Sequence, residues 1–341
     1  MTHQPSSRLT CGIFDHLDDD SRDLGRQYED RLVLAEAYDS LGFHAYHLAE
    51  HHCTPHGRSP SPNLFLSSVA QRTRHLRLGP LVMLLNSYHP LRAFEEICML
   101  DQLSGGRLEL GFGRGTLPIE LNYFGISDES APSRYEEANE ILLNAMKGGV
   151  LSYQGRHFQL NQVPLTLTPQ QRPCPPIWVT TNRPDTAIWA AGNGANLACM
   201  GPAAVVRKVT DAYHTHRERS SSCSGREPYV GLLRMIVIGR SEADAYSLAR
   251  SAYERWLRSF KFLYELNCIP TPKPLPLTFD AAIESELCVV GTPASVRRVL
   301  LNQVDEAGAN YLLCQLAFGD LPLDASLYAA RIIQSELLGR T

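Results

Sequence analysis

The chain has 341 residues, 44% of them apolar and 20% charged, with a formal net charge of -4 at pH 7. Such a chain can bury a large core, and without any long basic run it is poorly suited to nucleic acid or an anionic membrane surface as main partner. No apolar run approaches the roughly 20 residues that span a bilayer. Residues 1–10 are too short and polar for a secretory signal, and nine scattered cysteines without a C-x-x-C pair suit a reducing compartment, so a soluble cytoplasmic protein is expected.

In chain order, residues 9–14 read as a short strand and residues 21–41 as a helix that Gly42 ends. Residues 44–49 form a second strand, with Glu50, His51, His52 and Cys53 just past its C-terminal end. A loop rich in proline, serine and glycine leads to a helix at 63–72. The third strand, 76–85, is almost continuously apolar, as expected of one covered on both faces. Pro90 opens a helix that runs to Leu103, where Ser104, Gly105 and Gly106 stop it.

Residues 107–112 are the fourth strand, running into Gly113-Arg114-Gly115. There small residues allow close backbone approach to a ligand, and an arginine at a parallel strand's C-terminal end suits a phosphate. The G-x-G-x-G spacing differs from the G-x-G-x-x-G of a dinucleotide fingerprint. An excursion at 116–132, a helix at 133–147 and a hairpin at 150–160 turning at Gln154-Gly155 follow.

The repeat resumes with a strand at 176–180, a helix at 184–191, a strand at 196–200 and a helix at 202–219. A surface loop at 220–225, a strand at 229–238 and a helix at 241–264 come next. The proline-rich stretch 266–286 has no periodicity and is long enough for a lid. A helix at 293–307, a strand at 310–316 and a helix at 323–338 complete eight strand–helix units.

Eight such units close a (β/α)8 TIM barrel of about 250 residues, leaving about 90 for insertions. The α/β reading is therefore one barrel domain over 1–341, with insertions at about 116–132, 149–175 and 265–292. An open doubly wound sheet is the alternative topology.

Glu50-His51-His52, His89-Pro90-Leu91-Arg92, Leu100-Asp101-Gln102-Leu103-Ser104-Gly105-Gly106-Arg107, Gly111-Phe112-Gly113-Arg114-Gly115 and Val290-Gly291-Thr292-Pro293 lie in this order along nearly the whole chain. Together they resemble the bacterial luciferase-like flavin-dependent monooxygenases. The resemblance implies a TIM barrel that binds reduced FMN at its C-terminal mouth, adds O2 at flavin C4a and uses the peroxide to oxidise a small organic substrate. It also implies a separate flavin reductase as partner, a homodimer, and no metal.

Carried over by position, the resemblance makes Arg114 the arginine that grips the flavin phosphate, with Asn182, Arg183 and Thr186 near a helix start as its remaining contacts. It puts Leu81-Val82 at a non-prolyl cis peptide against the isoalloxazine, and Cys199, Met200 and Gly201 on the ring's opposite side. His51 takes the catalytic place, where an imidazole can exchange a proton near neutral pH, oriented by Glu50 or His52. Phe14, His16, Cys53 and Trp256 would face the substrate.

Three alternatives remain in view. One keeps the fold but carries hydride on the deazaflavin F420. Another is a catalytically silent flavin-binding barrel. The third is a metal-dependent hydrolase using His44, His47, His51, His52 and His56; it fits poorly, because the odd offset of His44 and His47 points them to opposite faces of a strand.

Overall fold

Strands built from apolar runs need cover on both faces, and this chain provides it by closing its strands into a ring with the helices outside. The computed structural model describes residues 9–115, 117–219, 227–272 and 275–338. The loop expected at 220–225 lies outside them. Eight parallel ring strands follow the chain: Thr10–Asp15, Ala45–Leu48, a third in two pieces (Arg77–Pro80 and Met83–Leu84), Leu110–Gly113, Ile177–Thr180, Asn196–Cys199, Val230–Ile238 and Tyr311–Gln315. The first pairs with the second and the eighth, the seventh with the eighth and the sixth, and the fifth with the sixth and the fourth, all in parallel.

The third strand closes the ring, and it does so by changing neighbours. Its first piece pairs with the second strand and its second piece with the fourth, while Leu78 bridges to Leu108. The continuous strand expected at 76–85 is thus broken at Leu81-Val82, whose peptide bond is cis. An α/β TIM barrel results.

Alternation along the strands sorts side chains into two layers. On the eighth strand Leu312 and Cys314 join the cluster beneath the outer helices, whereas Tyr311 and Leu313 join the interior cluster with Trp178, Leu233 and Phe14. His44 and His47 both approach Tyr311, with ring centroids 5.5 and 6.3 Å away, so they do not point to opposite faces. The offset argument fails because His44 precedes the strand, which begins at Ala45.

Three segments outside the ring differ from expectation. The hairpin pairs Gly149–Gln154 with Gln159–Leu165, so its second arm runs farther than 160 and the turn covers 155–158. The excursion after the fourth strand contains a short helix, Pro118–Tyr123. The stretch read as an aperiodic lid contains a helix, Phe279–Glu284, and just beyond it Cys288–Gly291 adds a parallel strand to the far end of the seventh. No helix among the described residues is long and apolar enough to cross a membrane.

Candidate active site

The second strand ends at Leu48, and the backbone carries Glu50 into a fully lined pocket. Glu50 accepts hydrogen bonds from the Leu84 amide (3.0 Å), the Tyr88 hydroxyl (3.3 Å), the Ser87 hydroxyl (3.2 Å) and His52 Nε2 (2.8 Å). A buried carboxylate so satisfied is a clamp between the ends of the second and third strands. Its imidazole partner is His52, so it does not orient His51.

His51 takes its partner from elsewhere. Its Nδ1 lies 3.0 Å from Oε1 of Glu120, a buried carboxylate on the Pro118–Tyr123 helix that also accepts the His52 amide at 3.4 Å. A carboxylate only accepts, so Nδ1 carries the proton and Nε2 is left with the lone pair of a base. Neither Glu50 nor His52 plays the orienting part expected for them. Glu120 was not singled out in the sequence, although a carboxylate set in Leu117-Pro118-Ile119-Glu120-Leu121 is a signal, since a buried charge must find a partner.

Two further histidines converge on His51. Ring centroids of His16 and His56 lie 4.2 Å apart, those of His51 and His56 4.7 Å, and those of His16 and His51 5.9 Å. One ring nitrogen from each lies within 4.8 Å of the others. Burial first, and then the neighbouring imidazoles, hold His16 and His56 well below the usual imidazole range, so both are neutral near pH 7. Nδ1 of His56 and Nε1 of Trp256 are buried without a hydrogen-bond partner.

Around this trio the expected substrate side largely assembles. Phe14 meets His16 edge-on at 4.8 Å, and Trp256 stands 5.4 Å from His56 and 6.0 Å from His16. Cys53 is exposed just beyond His52, in the left-handed region at φ 56. Trp256, Phe260 and Tyr264 follow one another at every fourth residue of the Glu242–Leu266 helix and form a ladder, with centroid spacings of 5.5 and 5.6 Å. Phe260 also packs on His56 at 5.0 Å.

Across the mouth lie the residues expected to hold a cofactor. Leu81 belongs to the interior cluster and Val82 packs against it. Gly113 is required there: a Cβ would stand 2.8 Å from Val82 Cγ2, so the glycine admits the third strand rather than a ligand. Arg114 follows, exposed, its carbonyl accepting Asn86 Nδ2 at 2.9 Å. Asn182 Oδ1 accepts the Met200 amide at 3.2 Å and so joins the ends of the fifth and sixth strands. Gly201 beside it has φ +136.

Arg183 is the N-cap of the Pro184–Gly192 helix, with no side-chain cap, and Thr186 lies half-buried in its first turn. Met200 is exposed at the rim. Cys199 is placed differently from expectation: it packs with Leu197 in the outer cluster while Ala198 faces the interior, and burial pushes its thiol up to about 12. A phosphorylated cofactor fits this side. The fourth and fifth strands are ring neighbours, so Arg114 and an uncapped helix N-terminus emerge together, and among the described residues neither Arg114 nor Arg183 has an ion-pair partner.

The family described as luciferase-like monooxygenase matches residues 10–311. An uncharacterized protein of Sinorhizobium fredii (strain NBRC 101917 / NGR234), y4wF, is 69% identical over 98% of this chain and 98% of its own. The oxygenase component of the flavin-dependent trigonelline monooxygenase of Acinetobacter baylyi is 29% identical over 70% of this chain and 67% of its own. Among solved structures, the monooxygenase RslO1 of Streptomyces bottropensis superposes with a TM-score of 0.86 at 27% identity, covering 97% of this chain and 99% of that one.

Proposed function

The chain belongs to the luciferase-like monooxygenase family, and from that premise we propose that it is the oxygenase of a two-component system, using reduced FMN and O2 to oxidise a small organic substrate. A separate flavin reductase supplies the cofactor. The observation that carries this reading is that one barrel mouth presents an anion cradle on one side and a carboxylate-oriented imidazole on the other. The printed name of the Acinetobacter baylyi relative, an oxygenase component, supports the two-component arrangement.

Arg114, Arg183 and the first-turn amides of the Pro184–Gly192 helix would hold the phosphate, where charge-assisted bonds contribute about 1.5 to 3 kcal/mol each. Asn182 and Thr186 flank them, and Leu81, Val82, Met200 and Gly201 would confine the ring. Bound there, reduced FMN supplies the electrons that activate O2. His51 holds or moves a proton through Nε2, and Glu120 keeps it in the right tautomer. Phe14, His16 and Trp256 exclude water from the reacting centre and shape the substrate space, with Cys53 at its entrance.

The test is oxygen uptake with reductase-supplied reduced FMN: substrate-stimulated formation of an oxygenated product is expected. Uptake that stays uncoupled from any product across broad substrates would favour a silent flavin-binding barrel, and hydride transfer with F420 alone would replace FMN. The enzyme is read as cytoplasmic and as a single barrel domain. A homodimer is also proposed, for which Leu64, Met99 and Leu103 on neighbouring helices offer exposed apolar surface that sedimentation can test.

A further inference from the structure

The histidine trio has more donors and bases than proton handling by His51 alone requires, and the positions of its protons say what it faces. Gln315 Nε2 lies 3.1 Å from His16 Nδ1. An amide NH2 only donates, so Nδ1 of His16 holds the lone pair and its proton is on Nε2. His51 is the reverse: Nδ1–H donates to Glu120 Oε1, and Nε2 holds the lone pair. His16 thus brings a donor and His51 a base to a cluster in which one ring nitrogen of each histidine lies within 4.8 Å of the others, together with the unpartnered Nε1–H of Trp256 and the unpartnered Nδ1 of His56, both residues more than nine-tenths buried.

A divalent cation suits this arrangement less well. It would need lone pairs from all three rings, at roughly 2.0 to 2.1 Å each, and the bond from Gln315 leaves His16 offering a proton. A hydroxyl oxygen suits it better: its proton goes to the base, and its lone pairs accept from the donor. The stacked ladder of Trp256, Phe260 and Tyr264 adds the second half of the specification, because Phe260, which packs on His56, and Tyr264 are only half-buried and keep part of their aromatic surface uncovered.

We propose that the substrate is a phenol: an aromatic ring laid against the Trp256–Phe260–Tyr264 ladder, with its hydroxyl between His51 and His16. The O–H bond breaks as the proton passes to Nε2 of His51, and the phenolate oxygen that keeps the electron pair accepts from Nε2–H of His16. An electron-rich ring is thereby presented to the oxidant. That the phenol is the molecule oxidised rests on the monooxygenase reading above; its capture and deprotonation do not.

The probe is 4-nitrophenol, mixed with flavin-free protein at a pH below that of its own ionisation, with 4-nitroanisole as the control that cannot ionise. Appearance of the phenolate absorption band on binding is expected, with an affinity at least about tenfold above that of 4-nitroanisole. His51→Ala should abolish the band, and His16→Phe should weaken it, in preparations that still bind reduced FMN as the parent does. No binding, binding in the neutral form, equal affinity for 4-nitroanisole, or a band unchanged in His51→Ala would overturn the proposal. So would one tightly held zinc ion per chain in place of the phenolate band. Flavin binding is measured on the same samples, so its failure would count against the monooxygenase reading and leave the phenolate result to stand separately.

Discussion

Glu120 and His51 are 69 residues apart in the chain, and their 3.0 Å contact decides which nitrogen of the imidazole acts. Glu120→Gln keeps the volume but removes the charge, and its amide can turn either a donor or an acceptor toward Nδ1. Turnover is expected to fall by roughly a hundredfold, with reduced-FMN affinity changed little. Parallel loss of both in steady-state and binding measurements would make Glu120 a support of the fold instead. The pair was not legible in the sequence: His51 stood in a recognisable run, but Glu120 lies in an aperiodic excursion, and only the closed ring brings the two together.

Buried imidazoles also set a pH dependence. Burial lowers His16 and His56 well below the ordinary value and His47 to about 3. The unfolded chain, with imidazoles near 6.5, then binds more protons than the folded one below that pH. Stability is fully present above about pH 6.5 and is lost as pH falls, by about 1.4 kcal/mol per pH unit for each such residue. Asp18 acts in the opposite sense, because burial raises its carboxyl to about 7 and the folded state holds its proton between about 4 and 7. Three histidines outweigh one carboxyl, so urea unfolding at about pH 5 should give lower stability than at about pH 7, and His47→Phe should flatten the slope. A pH-independent midpoint would contradict this.

At the scale of elements, the third strand is the joint on which the ring depends. A Cβ on Gly79 would stand 1.7 Å from the Glu109 carbonyl oxygen, a backbone atom that cannot yield without moving the fourth strand. Gly79→Ala is therefore expected to cost more than about 4 kcal/mol, read as loss of soluble protein or of cooperative thermal unfolding. A variant with the parent's stability would show the ring to be looser than described. Elsewhere the elements were legible for physical reasons. Pro62, Pro90, Pro184 and Pro293 open helices where their missing amide costs nothing, and Gly308 ends one at φ 64. The break at Leu81-Val82 has no periodic signal, since apolar residues run through it unchanged, and only the family resemblance pointed there. Cys199 was misplaced for a related reason: end-of-strand position says nothing of which face a side chain takes until the register is known.

For the whole molecule, two chemically different halves share one rim: guanidinium groups and a helix N-terminus after the fourth and fifth strands, and imidazoles after the first and second. The eight-unit repeat was readable from strand and helix periodicities, and it fixed that both halves face the same end. Their contents were not equally readable. The cradle follows a short local motif around Arg114, whereas the trio gathers His16, His51 and His56 from the two loops that follow the paired first and second strands.

The most direct test is an anaerobic titration of the protein and of Arg114→Ala with reduced FMN and reduced riboflavin. The expected result is FMN bound at least about tenfold more tightly than riboflavin by the parent, with Arg114→Ala losing that advantage while binding riboflavin as before. Equal affinity for the two in the parent would contradict a phosphate cradle at this mouth, and with it the claim that one rim joins cofactor to imidazole.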